Sequence, residues 1–321
     1  MKLLVTGASG FIGANFVERF SKLGCELLNL DIQSPLNPAH QKFWRKADIM
    51  NPAELAAAFA EFAPTHVVHM AARAECDENT TVEEGYTANT TGTANVLQAI
   101  RQTPSVERVI IVSTQYVCGP GRLPQNDEDF FPHTVYGQSK VVTEQLTRQA
   151  GLKCIWTIVR PTNIWGPWHF RYRQEAWRVI KKGLYLHPAG APVVRSYGYV
   201  GNIVWQMEQI LKAPAEKVNR QAFYVGDRPI DIYKWVDAFS LALCGRHARR
   251  VPRFILRGIG LVGDIVGIAG VKFPLTSSRV VSMTKDYLTP MDKTFDVFGQ
   301  PPHTLEAGVE QTIQWLKSYE N

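Results

Sequence analysis

The sequence predicts an α/β fold in which a doubly wound parallel sheet is joined to a smaller C-terminal region. In the first half of the chain, short and almost continuously apolar segments alternate with helical patterns. This alternation is typical of a parallel sheet covered by helices on both faces. The first apolar segment ends in a glycine-rich turn, and after Pro161 the sequence becomes richer in aromatic residues, prolines and longer loops.

The hydrophobic pattern places each element along the chain. Strands are predicted at residues 2–6, 25–30, 65–70, 108–113 and 153–159. Helices are predicted near residues 11–23, 52–62, 80–102, 135–150, 170–182, 200–212, 231–244 and 305–318. A further strand near 222–225 could return to the sheet, so the boundary between the two regions is not expected to be clean.

A glycine-rich turn joins the first predicted strand to the first helix. The stretch TGASGFIG at residues 6–13 places three glycines three residues apart. Glycine allows both the tight turn and a close approach of the backbone to a pyrophosphate. The free N–H groups at the start of the following helix then bind phosphate. The residues expected to contact a dinucleotide here are Gly7, Gly10, Phe11, Ile12 and Gly13.

Acidic residues follow where the adenosine of that dinucleotide would lie. Asp31 ends the second apolar run about 18 residues after Gly13, near the ~20 expected of a carboxylate that binds ribose hydroxyls. A carboxylate repels the 2′-phosphate of NADP, so the predicted cofactor is NAD. The alternative is an aspartate that caps the next turn. Asp48 and Ile49 are expected at the adenine edge.

These features divide the chain into two regions. Residues 1–165 are predicted to form an NAD-binding Rossmann domain, to which segments near 192–228 return. Residues 166–321 are predicted to be mainly a substrate-binding region.

Composition indicates which kinds of ligand the protein binds and which cellular compartment it occupies. The chain has 321 residues, of which 45% are hydrophobic and 20% charged, as in a folded globular protein. Its net charge of +6 suits an anionic substrate, and no basic stripe or motif predicts nucleic-acid binding. The five cysteines form no C-x-x-C pair, which predicts free thiols, no metal site and a reducing compartment. Because the first strand begins at once, we expect no signal peptide and a cytoplasmic location.

Residues 254–273 form an apolar, glycine-rich segment that is interrupted by Arg257, Asp264 and Lys272. A membrane-spanning helix needs about 20 mostly uncharged residues, so no transmembrane segment is predicted. We expect instead a buried or lid helix of the substrate-binding region. The segment follows a basic patch that consists of Arg246, Arg249, Arg250 and Arg253. Peripheral membrane contact through this basic, apolar face is the alternative.

Tyr136 and Lys140 stand four residues apart at the start of a predicted helix. This spacing places both on one helix face, one turn apart. A free tyrosine has a pKa near ~10, and an adjacent ammonium favours its phenolate. The pair could therefore remove a proton from a substrate hydroxyl, although a surface tyrosine–lysine pair would show the same spacing.

Thr114 strengthens the catalytic interpretation. It follows the predicted strand at 108–113, at the carboxyl edge where doubly wound sheets bind ligands. Its hydroxyl could bind the reacting substrate oxygen and hold it against Tyr136. Ser113 is expected to satisfy backbone groups instead.

The chain resembles the extended short-chain dehydrogenase/reductases of the nucleotide-sugar epimerase/dehydratase family. Six motifs carry the resemblance in the family's order: TGASGFIG at 6–13, HMAA at 69–72, NTTGTAN at 89–95, VST at 112–114, YGQSK at 136–140 and RPTNIWGP at 160–167. The pattern from Asp292 to Trp315 is also similar to the family's closing helix. Together they span more than half of the chain.

The resemblance implies roles that spacing alone does not. Asn163 falls where the family contacts the substrate diphosphate, and Arg195 where a family arginine clamps it, a task suited to a bidentate donor. Ala71 and Ala72 would line the cofactor cleft. Asn89 would brace the central helix near the active site.

Two further expectations come from the resemblance. The aromatic residues Trp168, Phe170 and Tyr172 could stack on a uracil, and core packing is the alternative. The family also implies a homodimer that pairs through helices near 80–102 and 135–150.

The sequence departs from the family pattern at three places. Sugar 4,6-dehydratases carry Asp-Glu directly after the catalytic threonine, where this chain has Gln115 and Tyr116. Elimination would therefore lack its general acid. Cys118 replaces a tyrosine and is expected to be a small buried thiol. Residues 200–202 read Val-Gly-Asn instead of Val-Asp-Asp, which could alter a substrate contact.

The resemblance and the residues together predict an NAD-dependent epimerase. Its substrate would be a nucleotide-diphosphate sugar, a UDP-hexose or UDP-N-acetylhexosamine, inverted at C4 through a transient 4-keto intermediate. The alternatives are a keto-sugar or hydroxysteroid-type reductase or dehydrogenase, a sugar dehydratase and a non-catalytic dinucleotide sensor.

Overall fold

The computed structural model describes residues 1–268, 270, 273 and 275–319. The strands, numbered along the chain, are β1 (Lys2–Thr6), β2 (Glu26–Asp31), β3 (Trp44–Lys46), β4 (His66–His69), β5 (Arg108–Val112), β6 (Ile155–Pro161), β7 (Asn163–Trp165), β8 (Leu186–Pro188), β9 (Val194–Arg195), β10 (Tyr197–Tyr199), β11 (Gln221–Val225), β12 (Ile230–Asp231) and β13 (Arg249–Val251).

Helices connect these strands. They are α1 (Phe11–Lys22), α2 (Pro52–Phe62), α3 (Val82–Gly85), α4 (Thr93–Gln102), α5 (Val135–Gln149), α6 (Phe170–Tyr172), α7 (Arg178–Lys181), α8 (Val200–Lys212), α9 (Ala215–Val218), α10 (Ile232–Cys244), α11 (Arg253–Ile268), α12 (Ser277–Ser282), α13 (Asp292–Phe298) and α14 (Leu305–Ser318).

The central sheet has seven parallel strands within the described part of the chain, in the order β3-β2-β1-β4-β5-β6-β11. The first six follow the order of the Rossmann fold, so the predicted fold class is confirmed. The strand order reverses between β1 and β4, and the crevice at their carboxyl ends is where such sheets bind dinucleotides. The expected returning strand is also confirmed, because β11 pairs with β6.

Alternate residues of the strands build an apolar core on each face of the sheet. Leu3 and Val5 face one core with α1 and α8, whereas Leu4 faces the other with α2 and α4. Burial on both faces explains why the strands read as nearly continuous apolar runs. Helix α5 begins at a side-chain cap, because Thr134 Oγ1 accepts a hydrogen bond from Gly137 N at 2.9 Å.

Two predicted helices are interrupted, and one strand of the central sheet was not predicted. The helix expected at 80–102 is interrupted, since a π-helical turn at Ala88–Gly92 separates α3 from α4. The helix expected at 170–182 contains a similar turn at Arg173–Trp177. The short strand β3 was not predicted, because three partly exposed residues at a sheet edge leave too short a pattern.

The C-terminal region packs helices around short strand pairs, namely β7 with β10, β9 with β12 and β8 with β13. Residues 254–268 of the segment 254–273 lie in α11, where Phe254, Leu261 and Ile265 are exposed. The expectation of a buried helix is therefore wrong, and the lid helix stays a prediction. Residues 269, 271 and 272 of that segment lie outside the described residues. Within the described chain, every helix is too short or too polar to cross a membrane.

Candidate functional site

The glycine turn after β1 is built by close backbone contacts. Gly7 has a φ of +76°, and a Cβ there would lie 2.4 Å from the backbone N of Ala71. A Cβ on Gly13 would lie 2.2 Å from Cα of Ala8. Gly10 is exposed, and a Cβ there would meet only Gly7 O at 3.8 Å. Gly7 and Gly13 are thus needed for the fold, and Gly10 leaves open the space in front of α1.

Asn29, which the sequence analysis missed, holds this turn from β2. Its Oδ1 accepts a hydrogen bond from Ala8 N at 3.1 Å, and its Nδ2 donates to Ser9 Oγ at 3.0 Å. The only sequence signal was a polar residue within an apolar strand.

Asp31 ends β2 beside the same turn. Its carboxylate accepts hydrogen bonds from Ser9 N at 3.0 Å and from Gln33 N at 2.9 Å. In its contacts with the protein, Asp31 therefore caps the next turn, as the alternative interpretation predicts. The side chain is only half-buried, so both oxygens keep a lone pair for a ribose hydroxyl.

Asp48 and Ile49 follow β3 at the same edge of the sheet. Asp48 is exposed and accepts a hydrogen bond from Met50 N at 2.8 Å, and Ile49 is buried against Gly92. Ala71 touches Gly7, and Ala72 lines the cleft. The loop after β4 is held by Asn89, which bonds both backbone groups of Arg73 and the Ser139 hydroxyl of α5. Asn89 thus braces α5, as the resemblance implies.

These residues fit a bound dinucleotide. α1 begins without a side-chain cap, so no side chain occupies the N–H groups at its start. Such groups form an anion site at a helix N-terminus. The exposed Gly10 leaves room for a pyrophosphate, Asp31 stands at the end of the neighbouring strand, and Phe11 and Ile12 line the cleft.

Thr114, Tyr136 and Lys140 meet in the cleft at the carboxyl end of β5. The Thr114 side chain is close enough to Tyr136 to favour the phenolate form of that residue. Lys140, one turn further along α5, donates from Nζ to Val112 O at 2.8 Å. All three side chains are buried and line one cavity. The surface-pair alternative for Tyr136 and Lys140 is therefore excluded.

Burial dominates the electrostatics of this group. Burial raises the pKa of Tyr136 above its ordinary value, and the neighbouring Thr114 hydroxyl offsets only part of that rise. Burial lowers the pKa of Lys140 to about 8, although the nearby Glu144 carboxylate favours the ammonium. The expected lowering of the Tyr136 pKa by Lys140 is thus outweighed by desolvation in the protein alone.

A buried ionic network lies behind the catalytic helix. Glu144 accepts hydrogen bonds from Ser113 Oγ at 2.6 Å and from Arg160 Nε and Nη2 at 2.8 and 2.7 Å. Glu144 and Arg160 are both almost fully buried. Ser113 therefore has the structural role expected of it, and it joins β5, β6 and α5.

The cleft has a volume of about 760 Å³ and carries positive charge on the side of the C-terminal region. Asn163 lies in β7 and accepts a hydrogen bond from the Tyr116 hydroxyl at 3.3 Å. Arg195 lies in β9 and donates to the carbonyls of Ser282 and Lys285. Three more cations line the same wall, and the sequence analysis did not single them out: Arg171, Arg279 and Lys285.

The aromatic residues after β7 divide between core and cleft. Trp168 and Phe170 pack on Trp315, with ring centroids 5.8 and 5.5 Å apart, and do not line the cleft. Core packing is the correct alternative for these two. Tyr172 does line the cleft and stacks on His169 at 4.2 Å.

The departures from the family pattern have defined places. Tyr116 lines the cleft beside Tyr136, and burial raises its pKa to about 12. Cys118 is buried as expected. Asn202 donates to Asp227 Oδ1 at 2.7 Å and to His303 O at 2.8 Å, so its amide has a structural role. Among the described residues, no cluster of three His, Cys, Asp or Glu side chains could hold a metal ion.

The fold and the cleft together define a nucleotide-binding α/β protein with a Thr–Tyr–Lys group at the edge of its sheet. The sequence model of the NAD dependent epimerase/dehydratase family matches residues 3–226. The chain therefore belongs to this family; it is an NAD-dependent enzyme, and NAD is its cofactor.

The sequence identity to individual related enzymes is 29% or lower for the relatives described next. The chain is 28% identical to an N-acetyl-α-D-glucosaminyl-diphospho-ditrans,octacis-undecaprenol 4-epimerase of Escherichia coli O157:H7, over 98% of this chain and 94% of that protein. It is 29% identical to a 3-β-hydroxysteroid dehydrogenase of Mycolicibacterium neoaurum, over 76% of this chain and 70% of that one. The UDP-glucose 4-epimerase of Thermus thermophilus, solved in complex with NAD, has a similar fold, with a TM-score of 0.71, 22% identity and 99% of both chains covered.

Proposed function

We propose that the protein is a 4-epimerase of a sugar carried on a diphosphate, with a UDP-hexose or UDP-N-acetylhexosamine as the first substrate to test. One observation carries the proposal: Thr114, Tyr136 and the buried Lys140 line the same cleft as Phe11 and Ile12, which follow the glycine turn. Relatives whose names denote 4-epimerases cover nearly the whole chain, which supports this reaction.

The residues of the cleft divide the work. Thr114 binds the sugar 4-hydroxyl and holds it against Tyr136, which removes its proton as a general base. The glycine turn and Asp31 would hold the NAD, which would supply reversible hydride transfer at C4 of the sugar. Lys140 contributes a positive charge that favours the phenolate, and it binds the ribose of the cofactor. Because the reaction needs no net oxidant, the protein would retain its cofactor through purification.

The cations of the C-terminal wall would hold the diphosphate. Arg195 offers a planar donor group beside Asn163, and Arg171, Arg279 and Lys285 add positive charge. This arrangement leaves the sugar directed at Tyr136. We also propose, from the family resemblance alone, that two copies pair through α4 and α5.

The test is turnover without added NAD. Purified protein is incubated with UDP-glucose, UDP-galactose and their N-acetyl counterparts, and the products are separated and identified by proton NMR. We expect interconversion of 4-epimers. Tyr136→Phe should lower the turnover by roughly a thousandfold because it removes the base. The exposed Tyr319→Phe is the matched control and should keep full activity. Absence of any epimerisation by the wild type would refute the proposal.

A second candidate is a dehydrogenase of an apolar secondary alcohol such as a sterol. The relative named as a 3-β-hydroxysteroid dehydrogenase and the apolar helix α11 favour it. It would convert added NAD to NADH stoichiometrically with substrate, which absorbance spectroscopy measures directly. A sugar dehydratase has less support, since Tyr116 stands where a carboxylic acid would be needed.

A further inference from the structure

Helix α11 exposes most of its large apolar side chains, whereas an ordinary surface helix buries them. Its inner face carries the fully buried Leu256 and two glycines: a Cβ on Gly260 would lie 3.1 Å from Ser277 N, and one on Gly263 would lie 2.0 Å from Leu275 O. The backbone of α11 therefore lies directly against the residues that lead into α12. Most of the large apolar side chains of α11 lie on its outer side, which faces away from α12.

The outer face of α11 is a continuous apolar stripe. Phe254, Leu261 and Ile265 are 73%, 59% and 68% exposed, and they follow one another at spacings of seven and four residues. This spacing places them on one side of the helix. Val262 and Ile255 widen the stripe, with 53% and 41% exposure. Contiguous exposed apolar side chains of this kind mark a surface that is covered in use.

Positive charge precedes this stripe in the chain and flanks it at Arg257. Five arginines occur between Gly245 and Gly263, and that interval contains no aspartate or glutamate. Arg246, Arg249, Arg250 and Arg257 are exposed, and Arg257 lies on the flank of the stripe itself. A surface that is apolar at its centre and cationic at its border complements a bilayer with anionic headgroups.

We propose that α11 and the arginines before it dock the protein on the surface of an anionic lipid bilayer. The helix would lie in the plane of the headgroups, with Phe254, Leu261 and Ile265 inserted at the acyl boundary. At 16 residues it is too short to span, which agrees with peripheral binding. A second copy of this chain fits less well, because a twofold contact through this face would bring two arginine clusters together.

The position of the stripe connects docking to the cleft. α11 packs on α12, and Ser278, Arg279 and Val281 of α12 line the cleft. A protein bound through α11 would thus keep the cationic wall of its cleft close to the membrane. Docking itself needs no substrate, so it is independent of the proposed function.

Vesicle flotation of the whole protein tests the proposal. One set of vesicles contains phosphatidylcholine alone, and the other contains phosphatidylcholine and phosphatidylglycerol in equal parts. We expect binding to the anionic vesicles, at least about tenfold weaker binding to the neutral ones, and weaker binding as salt is added.

Two pairs of variants separate the apolar and the cationic contributions. Leu261→Ser with Ile265→Ser should weaken binding by about tenfold or more, whereas the exposed control pair Leu23→Ser with Leu123→Ser should not change it. Arg249→Gln with Arg257→Gln should weaken binding to anionic vesicles about tenfold. The control for charge is Arg101→Gln with Lys153→Gln, both exposed and outside this face. All eight sites are exposed, and far-ultraviolet circular dichroism checks that each variant is folded.

Three results would overturn the proposal. The wild type could fail to float with anionic vesicles at low salt, or the α11 pair could bind as tightly as the wild type. Alternatively, sedimentation equilibrium could show that Leu261→Ser with Ile265→Ser dissociates an oligomer while vesicle binding is absent. That last result would assign the stripe to a second copy of the chain.

Discussion

The two regions of the molecule differ in one respect: a polar side chain is buried and hydrogen-bonded in the first, and apolar side chains are exposed in the second. In residues 1–165, the buried His69 has both ring nitrogens partnered, by Thr6 at 2.7 Å and by Thr93 at 3.0 Å. In residues 166–321, large apolar side chains of α11 remain outside. Fixing a base and a cofactor requires preorganised contacts, whereas recognising a carrier or a surface requires an exposed face. We therefore propose that the first region carries the reacting groups and that the second contributes to substrate binding and to docking.

Breaking the buried network of the first region should have the largest effect. Glu144→Gln leaves the buried Arg160 guanidinium without its carboxylate. We expect a loss of about 3–5 kcal/mol in the free energy of unfolding, measured by urea denaturation. The exposed pair between Arg45 and Glu61 provides the control, since Glu61→Gln should cost less than about 1 kcal/mol. Equal losses at the two sites would contradict the assignment of the buried network.

The glycine turn separates folding from cofactor binding. Gly13→Ala forces a Cβ into the backbone of Ala8 and should lower the free energy of unfolding by about 1–3 kcal/mol. Gly10→Ala meets no protein atom closer than 3.8 Å, so its stability without cofactor should be unchanged. Its methyl group occupies the pyrophosphate space, however, and should weaken NAD binding in calorimetry. If Gly10→Ala binds NAD as tightly as the wild type, the cofactor does not pass in front of α1.

The cationic wall of the second region should act on binding rather than on chemistry. Arg195→Ala removes a guanidinium from the cleft and should raise the KM of a diphosphate sugar about ten- to a hundredfold, with little change in kcat. Arg178→Ala, an exposed arginine on α7 that does not line the cleft, is the matched control and should keep the wild-type KM. A fall in kcat at constant KM would move Arg195 from substrate binding to the reaction itself.

The prediction with the smallest effect at neutral pH concerns acid stability. Burial lowers the pKa of His69 from 6.5 to about 3, so the folded state keeps this ring neutral where the unfolded chain would protonate it. Its contribution is complete above pH 6.5 and is lost as the pH falls towards 3, at up to ~1.4 kcal/mol per pH unit. His69→Gln, which cannot titrate, should show a shallower loss of unfolding free energy over this interval. Parallel pH profiles for the two proteins would show that His69 does not titrate on unfolding.

Residues close in sequence were the most predictable part of the site. The turn at 6–13 and the pair Tyr136–Lys140 each act through spacing along one element, so their geometry follows from the local pattern. The interrupted helix at 80–102 was not predictable, because its π turn places Asn89 between the loop after β4 and α5. Asn29 and Arg279 were missed for the same reason, since each bonds a residue far away in the chain. Arg171 pairs with the nearby Glu175, but only the packing of distant elements brings it to the cleft.

The sequence by itself determined the alternation of strands and helices, the glycine turn and the residue types of the catalytic group, since all of these are local patterns of side chains. Only the tertiary structure decided that burial, rather than Lys140, dominates the pKa of Tyr136, and that Trp168 belongs to the core. It also decided that the apolar side of α11 faces outward. A run of apolar residues records how much surface must be covered, but which side the rest of the chain covers depends on packing between distant elements.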